Sequence, residues 1–106
     1  MLEPLVRHVV VMGLQVTDPL RFSLYCARMR PILTSHGGRV EYDLVVSEVI
    51  ESSADADVNR VHALSFPDPA ARRAFDADPE HQRLHAELFE PAVASTMVLG
   101  VYDAPG

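Results

Sequence analysis

The sequence predicts an α+β fold in which a four-stranded antiparallel sheet carries helices on one face. Residues 5–16 are almost all apolar and rich in Val, which is typical of a buried strand. Asp-Pro dipeptides begin at Asp18, Asp68 and Asp78, and each is a helix-start signal. Between the first predicted helix and Asp68, residues 39–66 have the pattern of a hairpin, which gives the element order βαββαβ.

The first predicted strand, residues 5–16, has apolar residues at both odd and even positions. Val9, Val10 and Val11 are consecutive, whereas a strand with one face in water alternates between apolar and polar residues. We therefore expect both faces of this strand to be buried.

The first helix is predicted to begin at Asp18-Pro19, because Asp caps free amides and Pro is tolerated at the first helical position. Pro31 should kink or divide the helix near its last turn, and Gly37-Gly38 should end it. In a helical projection at 100° per residue, the apolar side chains and one histidine lie within an arc of about 120°. These residues are Phe22, Tyr25, Cys26, Met29, Ile32, Leu33 and His36.

The second and third strands are predicted at residues 39–50 and 58–66, joined by a polar connection, and should pair as a long hairpin. By strict alternation, one face of the second strand carries the apolar residues Val40, Tyr42, Leu44, Val46 and Ile50.

The remaining Asp-Pro signals predict a short helix at residues 69–77 and another at about 79–90. A fourth strand follows at residues 93–102, with Met97, Leu99 and Val101 on one side.

The order βαββαβ predicts a ferredoxin-like (split βαβ) domain with strand order 4-1-3-2 and helices on one face only. The other face is then either solvated or covered. Because the first strand is apolar on both sides, we expect a second copy of the protein to cover it, as a two-fold homodimer with sheets face to face.

Composition excludes several classes of protein. The 106 residues indicate one domain, residues 1–106. The net charge is -6, and all nine basic residues are Arg, so nucleic-acid binding is not expected and Schiff-base chemistry at Lys is excluded. No segment approaches the ~20 apolar residues of a membrane span. The single cysteine, Cys26, cannot form an internal disulfide, which favours a cytoplasmic protein. On its apolar arc, Cys26 is expected to be an inert buried thiol.

Several motifs, in this order, resemble those of the DUF1330 family, a family of domains of unknown function. They are Thr17-Asp18-Pro19, Ser35-His36-Gly37-Gly38-Arg39, Asn59-Arg60-Val61, Ser65-Phe66-Pro67-Asp68 and Asp78-Pro79-Glu80. The resemblance covers residues 5–102 and implies a dimeric α+β barrel. Barrels of this kind include cofactor-independent monooxygenases, isomerases, and decarboxylating or dehalogenating enzymes acting on small cyclic or aromatic substrates. His81 stands where the family commonly has Tyr, and Ala74-Phe75 keeps one aromatic of a usual pair.

Two histidines, His81 and His85, are four residues apart on the last predicted helix and therefore adjacent. They are candidate catalytic residues, as an acid/base pair in a cleft between helix and sheet, and their spacing also occurs in metal and haem sites. The alternative is that both border the core and hydrogen-bond to backbone or water. No third ligand lies nearby in sequence, so no metal or cofactor is predicted.

The other candidates are one further catalytic residue and three ligand-binding residues. His36 is a candidate general base, or alternatively a helix-terminal His favoured by the macrodipole. Arg39 can bind a substrate carboxylate or pair with an acidic residue of its own hairpin. Tyr25 and His62 can line the cleft or pack as core residues with one satisfied polar atom.

The sequence thus predicts a homodimer that binds a small molecule in a cleft between sheet and helices, with enzyme activity left open. The alternative is a non-catalytic ligand-sensing or dimerisation module. A cavity of a few hundred cubic ångströms with converging histidines favours an enzyme. A cleft filled by Met29, Phe75 and Leu88 favours the module.

Overall fold

The computed structural model describes residues 6–54 and 57–106. Leu5, which begins the first predicted strand, and residues 55–56 of the polar connection lie outside the described residues. The strands are β1 (Val6–Val16), β2 (Arg39–Val45), β3 (Arg60–Phe66) and β4 (Val93–Pro105). The helices are α1 (Pro19–Ser35), α2 (Pro69–Ala77) and α3 (Pro79–Leu84). Among the described residues, no helix is both long and apolar enough to span a bilayer.

All three helices start at their Asp-Pro signals, as predicted. The carboxylates of Asp18, Asp68 and Asp78 each accept hydrogen bonds from backbone amides of the first turn. Helix α1 continues through Pro31 to Ser35, so of the two predicted outcomes, a kink or a division, the division is wrong. Pro31 removes the hydrogen bond that an N–H at this position would donate to the carbonyl of residue 27, and the buried side chains of Ile32 and Leu33 hold the turn in place.

A glycine ends α1. Gly37 has φ +73°, a left-handed conformation that side chains rarely adopt, and a Cβ there would lie 2.7 Å from Pro67 Cγ. This turn directs the chain into β2 and confirms the predicted stop at Gly37-Gly38.

The four strands form one antiparallel sheet in the order β2-β3-β1-β4, as predicted. The helices cover one face, where the main core lies between α1, α2, α3 and the sheet. Its fully buried members include Phe22, Met29, Leu33 and Phe66.

Strands β2 and β3 are shorter than predicted. Strand β2 ends at Val45 rather than at residue 50, and β3 begins at Arg60 rather than at residue 58. The Asn59 side chain accepts a hydrogen bond from Val16 N and donates one to Val16 O, which ties the start of β3 to the end of β1. Ile50 is therefore exposed instead of paired.

Two register shifts change which side chains share a face. In β2, Val40 pairs with Leu64 but Tyr42 pairs with Ala63, so Val40 packs on the helix-side core while Tyr42 and Leu44 lie on the open face. The expectation that these three share one face is wrong, because a bulge at Glu41 inserts one residue.

A similar shift in β4 follows Val98. Met97 and Leu99 lie over Gly13 on the open face, whereas Val101 pairs with Val10 and points to the helix side. The prediction that Val101 shares a side with the other two is therefore also wrong, for the same physical reason.

The open face of the sheet carries a row of apolar side chains. We call Tyr42, Leu44, Met97, Leu99 and Tyr102 the open-face patch; each is between 36% and 51% exposed. Beneath it, Val9, Val11 and Ala63 form a second small core. Strand β1 is accordingly buried on both faces, as predicted, since the neighbouring residues Val9 and Val10 are 3% and 6% exposed.

Candidate functional site

A buried tyrosine–histidine pair connects α1 to α3. Tyr25 Oη lies 2.8 Å from His81 Nε2, and His81 Nδ1 lies 3.2 Å from the carbonyl oxygen of Phe75. Because a carbonyl only accepts, Nδ1 carries the ring proton, and the Tyr25 hydroxyl donates to the free lone pair on Nε2. Burial, and then the neighbouring His85, lower the pKa of His81. Burial also raises the pKa of Tyr25 well above its usual value. The pair is therefore neutral and fixed in one tautomer.

His85 lies beside this pair, on a widened turn. The predicted helix 79–90 is only partly correct: α3 ends at Leu84, and a π turn over His85–Phe89 and a 3₁₀ turn over Glu90–Ala92 follow. The His85 ring stacks on Phe89 at 4.3 Å and meets Tyr25 edge-on at 6.2 Å. Its side chain remains 39% exposed, with Nδ1 3.8 Å from Glu90 Oε1. π turns inside helical segments are frequent at functional sites.

The two histidines line a surface cleft of about 340 Å³ together with Asp76, Gln82 and Glu90. We call these five residues the histidine cleft. His85 and Glu90 also border a neighbouring cavity of about 330 Å³ that reaches the start of β4. These volumes lie at the lower end of the range for small-molecule sites. The histidine cleft has two carboxylates in its lining; Asp76 pairs with Arg72 at 3.9 Å, and Glu90 gives the cleft an acidic edge that favours neutral or cationic ligands.

The interior between helices and sheet is filled. Met29 and Phe75 are 0% and 2% exposed, and Leu88 packs against the same core. The histidine cleft therefore lies at the edge of the helical layer, around the π turn, and not deep between the layers.

His36 lies outside the histidine cleft. Its Nε2 is 2.8 Å from Asp78 Oδ2, and both side chains are about one-fifth exposed. The hydrogen bond from His36, assisted by the backbone amides of Glu80 and His81, lowers the pKa of Asp78. This contact joins the end of α1 to the cap of α3, a structural arrangement.

Arg39 also lies apart from the histidine cleft, near the open face. Its Nε donates to Glu41 Oε1 at 2.7 Å, and Ser65 Oγ donates to the same oxygen at 2.6 Å. Arg39 therefore pairs with an acidic residue of its own strand, one of the two alternatives that the sequence left open. It also borders a separate cavity of about 300 Å³ with Val6, Arg7, Pro67 and Gly106.

His62 lies beneath α1, next to Cys26 and Asp43. Burial lowers the pKa of His62 and raises the pKa of the Cys26 thiol to about 11. Asp43 accepts two hydrogen bonds from Arg60, at 2.6 and 2.8 Å, which lower the pKa of its carboxyl. Cys26 alone is thus a protonated thiol with little nucleophilic character.

Of the six residues that the sequence singled out, the structure brings Tyr25, His81 and His85 together and places His36, Arg39 and His62 elsewhere. The sequence did not indicate Asp76, Gln82 or Glu90 as lining residues. The sequence could have pointed to Phe89 as a neighbour of His85, because residues four apart on a helix bring their rings together.

Residues 8–102 match the family model described as "Domain of unknown function (DUF1330)". The chain belongs to the DUF1330 family. This confirms the resemblance seen in the sequence motifs. No curated protein matches this DUF1330 chain.

Solved structures place the DUF1330 chain among ferredoxin-like α+β folds. It superposes on a protein of unknown function from Rhodopseudomonas palustris with a TM-score of 0.73 at 13% identity, over 98% of this chain and 84% of that one. A dabb family protein with a ferredoxin-like fold from Mesorhizobium loti gives 0.56 at 20% identity, over 98% of both chains. A cofactor-independent oxygenase from Streptomyces nogalater gives 0.59 at 18% identity, over 98% and 96%. At these identities the likeness establishes the fold alone.

Proposed function

We propose that this DUF1330 protein is a homodimer that binds a small neutral aromatic or cyclic molecule in the histidine cleft. One observation carries the proposal. The half-exposed imidazole of His85 lies in a cleft of ligand size, flanked by the Phe89 ring and by a Tyr25–His81 pair whose protons are already committed. His85 is the group left free to meet a ligand.

The charges of the cleft select the ligand class. Asp76 is paired with Arg72 at 3.9 Å, but Glu90 faces the cleft beside His85, so a carboxylate or phosphate ligand would meet repulsion from Glu90. A hydroxyl or amine on an aromatic ring satisfies the site better, because it can donate to an imidazole nitrogen while its ring reaches Phe89 in the neighbouring cavity that His85 and Glu90 also border.

The chemistry that this site offers is proton transfer. The His85 imidazole can accept the proton of a ligand hydroxyl, and Glu90, 3.8 Å from Nδ1, would stabilise the imidazolium that forms. Proton removal from the hydroxyl of an electron-rich ring is compatible with the likeness to a cofactor-independent oxygenase. In this scheme Tyr25 and His81 are positioning residues, since they hold the wall beside His85.

Binding is tested with a matched pair of probes, α-naphthol and α-naphthoate, titrated calorimetrically into the protein. We expect saturable binding of the naphthol and none of the naphthoate at equal concentration. His85→Gln should weaken naphthol binding, and Arg39→Gln, which changes a residue outside the cleft, should not. Naphthoate binding equal to naphthol binding would contradict the charge argument, and naphthol binding unaffected by His85→Gln would contradict the location.

The open-face patch supports the homodimer. Its five apolar side chains lie together on the sheet face opposite the helices, and contiguous apolar patches of this kind usually mark an interface. A second copy provides an identical face, as a two-fold interface requires.

Light scattering should therefore give twice the 11.7 kDa chain mass. Leu99→Arg in the patch should shift the protein towards monomer. Leu20→Arg is the matched control, because Leu20 is 85% exposed on α1, away from the patch, and should leave the dimer intact. A monomeric wild type, or equal behaviour of the two variants, would refute the proposed interface.

A non-catalytic ligand-sensing or dimerisation module is the second candidate. The burial of Met29 and Phe75 favours it, because these side chains fill the space between the layers. This alternative predicts a dimer that persists while neither probe changes chemically on incubation.

A further inference from the structure

Three potential metal ligands of different kinds meet beneath α1. Asp43 and His62 are direct partners in the β2–β3 register and lie on the helix-facing side of the sheet. Cys26 approaches them from α1, so three separate elements contribute one ligand atom each. The thiol sulfur, a carboxylate oxygen and an imidazole nitrogen all lie within 4.8 Å of one another.

The spacing is close to that of a tetrahedral metal centre. Bond lengths of about 2.3 Å to sulfur and about 2.0–2.1 Å to nitrogen or oxygen give ligand–ligand separations of roughly 3.3–3.6 Å. To reach these separations, the three atoms would have to approach one another by roughly 1–1.5 Å at most, which a side-chain adjustment can supply. Three protein ligands leave a fourth tetrahedral position open.

The His62 ring has the position of a metal ligand. His62 is 6% exposed, and one of its imidazole nitrogens lies within 4.8 Å of the Cys26 sulfur and of an Asp43 oxygen. A buried neutral imidazole directed at a thiol and a carboxylate is the form of His that binds metals.

Two arginines oppose a cation here. Arg60 donates to both oxygens of Asp43, and Arg30 also acts electrostatically on Asp43 and His62. Each carboxylate oxygen keeps a second lone pair, so the ion pair and a metal bond can coexist. The thiolate would supply a negative charge that no arginine pairs with in this arrangement, and its sulfur favours a borderline-soft divalent ion.

We propose that Cys26, Asp43 and His62 form a three-ligand site for a divalent cation of the Zn²⁺ class, separate from the histidine cleft. When the ion binds, the Cys26 thiol releases its proton to solvent and the sulfur becomes a thiolate ligand. This site goes beyond the proposed small-molecule function and does not depend on it.

The test is titration of the tag-free, reduced protein with Co²⁺, a spectroscopic substitute for Zn²⁺. We expect a thiolate-to-cobalt charge-transfer band that saturates near one equivalent and is bleached by Zn²⁺. Because Cys26 is the only cysteine, this band can come from no other residue. Cobalt bound at His81 and His85 gives no such band.

Variants assign the other two ligands. Cys26→Ser should abolish the band. Loss of a second-shell partner already weakens metal binding about 10- to 100-fold, so Asp43→Asn and His62→Gln should each weaken cobalt binding at least tenfold. If His62→Gln does not fold, Cys26→Ser and Asp43→Asn, which change more accessible residues, still test whether cobalt binds at this site. His85→Gln is the control and should leave the band unchanged. Absence of the band in the wild type, or its persistence at full affinity in Asp43→Asn, would overturn the proposal.

Discussion

Tyr25→Phe removes the one donor to the buried Nε2 of His81. The phenyl ring keeps the packing of the tyrosine, including its edge-to-face contact with Phe89 at 5.2 Å, so no cavity forms. The His81 residue is only 7% exposed, and its Nε2 is left without a partner. Stranding a buried acceptor costs about 1–3 kcal/mol. For a chain of this size, that lowers the melting temperature by roughly 4 °C per kcal/mol, or about 4–12 °C.

Urea denaturation and thermal melting measure this loss, with all variants at one protomer concentration because dimerisation would stabilise the folded state. A double-mutant cycle with His81→Leu measures the coupling energy between Tyr25 and His81. When Leu occupies position 81, Tyr25→Phe leaves no buried acceptor without a partner. We expect Tyr25→Phe to cost less than about 0.5 kcal/mol in the His81→Leu background, giving a coupling of at least about 1 kcal/mol. Equal costs in the two backgrounds would refute the assigned hydrogen bond.

Three further predictions concern the surroundings of this pair. Burial lowers the pKa of His81, so as the pH falls the unfolded state takes up a proton before the folded state does. The free energy of unfolding should therefore fall as the pH drops below about 6.5. His81→Gln should make the free energy of unfolding less dependent on pH. A slope unchanged in His81→Gln would assign the effect to another histidine. Asp78→Ala loses both the α3 cap and the His36 contact, whereas Asp78→Asn keeps a capping side chain. The melting temperature should therefore be highest for the wild type, lower for Asp78→Asn and lowest for Asp78→Ala. Equal melting temperatures of the two variants would contradict the capping role. Gly37→Ala forces an L residue to φ +73° against Pro67 and should cost about 1–2 kcal/mol in urea denaturation, while a neutral substitution would contradict the left-handed turn.

Local signals in the sequence specified most of the fold. Each Asp-Pro start placed a helix correctly, because the side-chain cap and the fixed proline φ act within one turn. The consecutive valines of β1 predicted burial on both faces, since that pattern depends only on the neighbours of each residue.

Features that depend on tertiary contacts could not be read in this way. The bulge at Glu41 reverses the face of Val40, and no Gly or Pro marks it. The shift after Val98 reverses the face of Val101, and Gly100 beside it is a weak signal that fits a regular strand as well. The π turn at His85 interrupts the regular helix predicted at residues 79–90, and the chain enters β4 after three further residues.

In the candidate sites too, residues with local spacing were predictable from the sequence and those brought together by tertiary contacts were not. His81 and His85 were recognisable because their spacing is local, and Tyr25 because it lies on the apolar stripe of α1. The meeting of Cys26, Asp43 and His62 depends on a helix packing over a particular strand register, which no local pattern encodes.

The central proposal is that His85 meets the ligand while the Tyr25–His81 pair remains fixed. Heteronuclear NMR of the imidazole ring nitrogens, recorded during titration with α-naphthol, tests it most directly. We predict that the ring-nitrogen signals of His85 shift to saturation, whereas those of His81 keep the pattern of a neutral ring protonated at Nδ1. Unchanged His85 signals at saturating naphthol, or a His81 ring that is protonated on both nitrogens, would contradict the proposal.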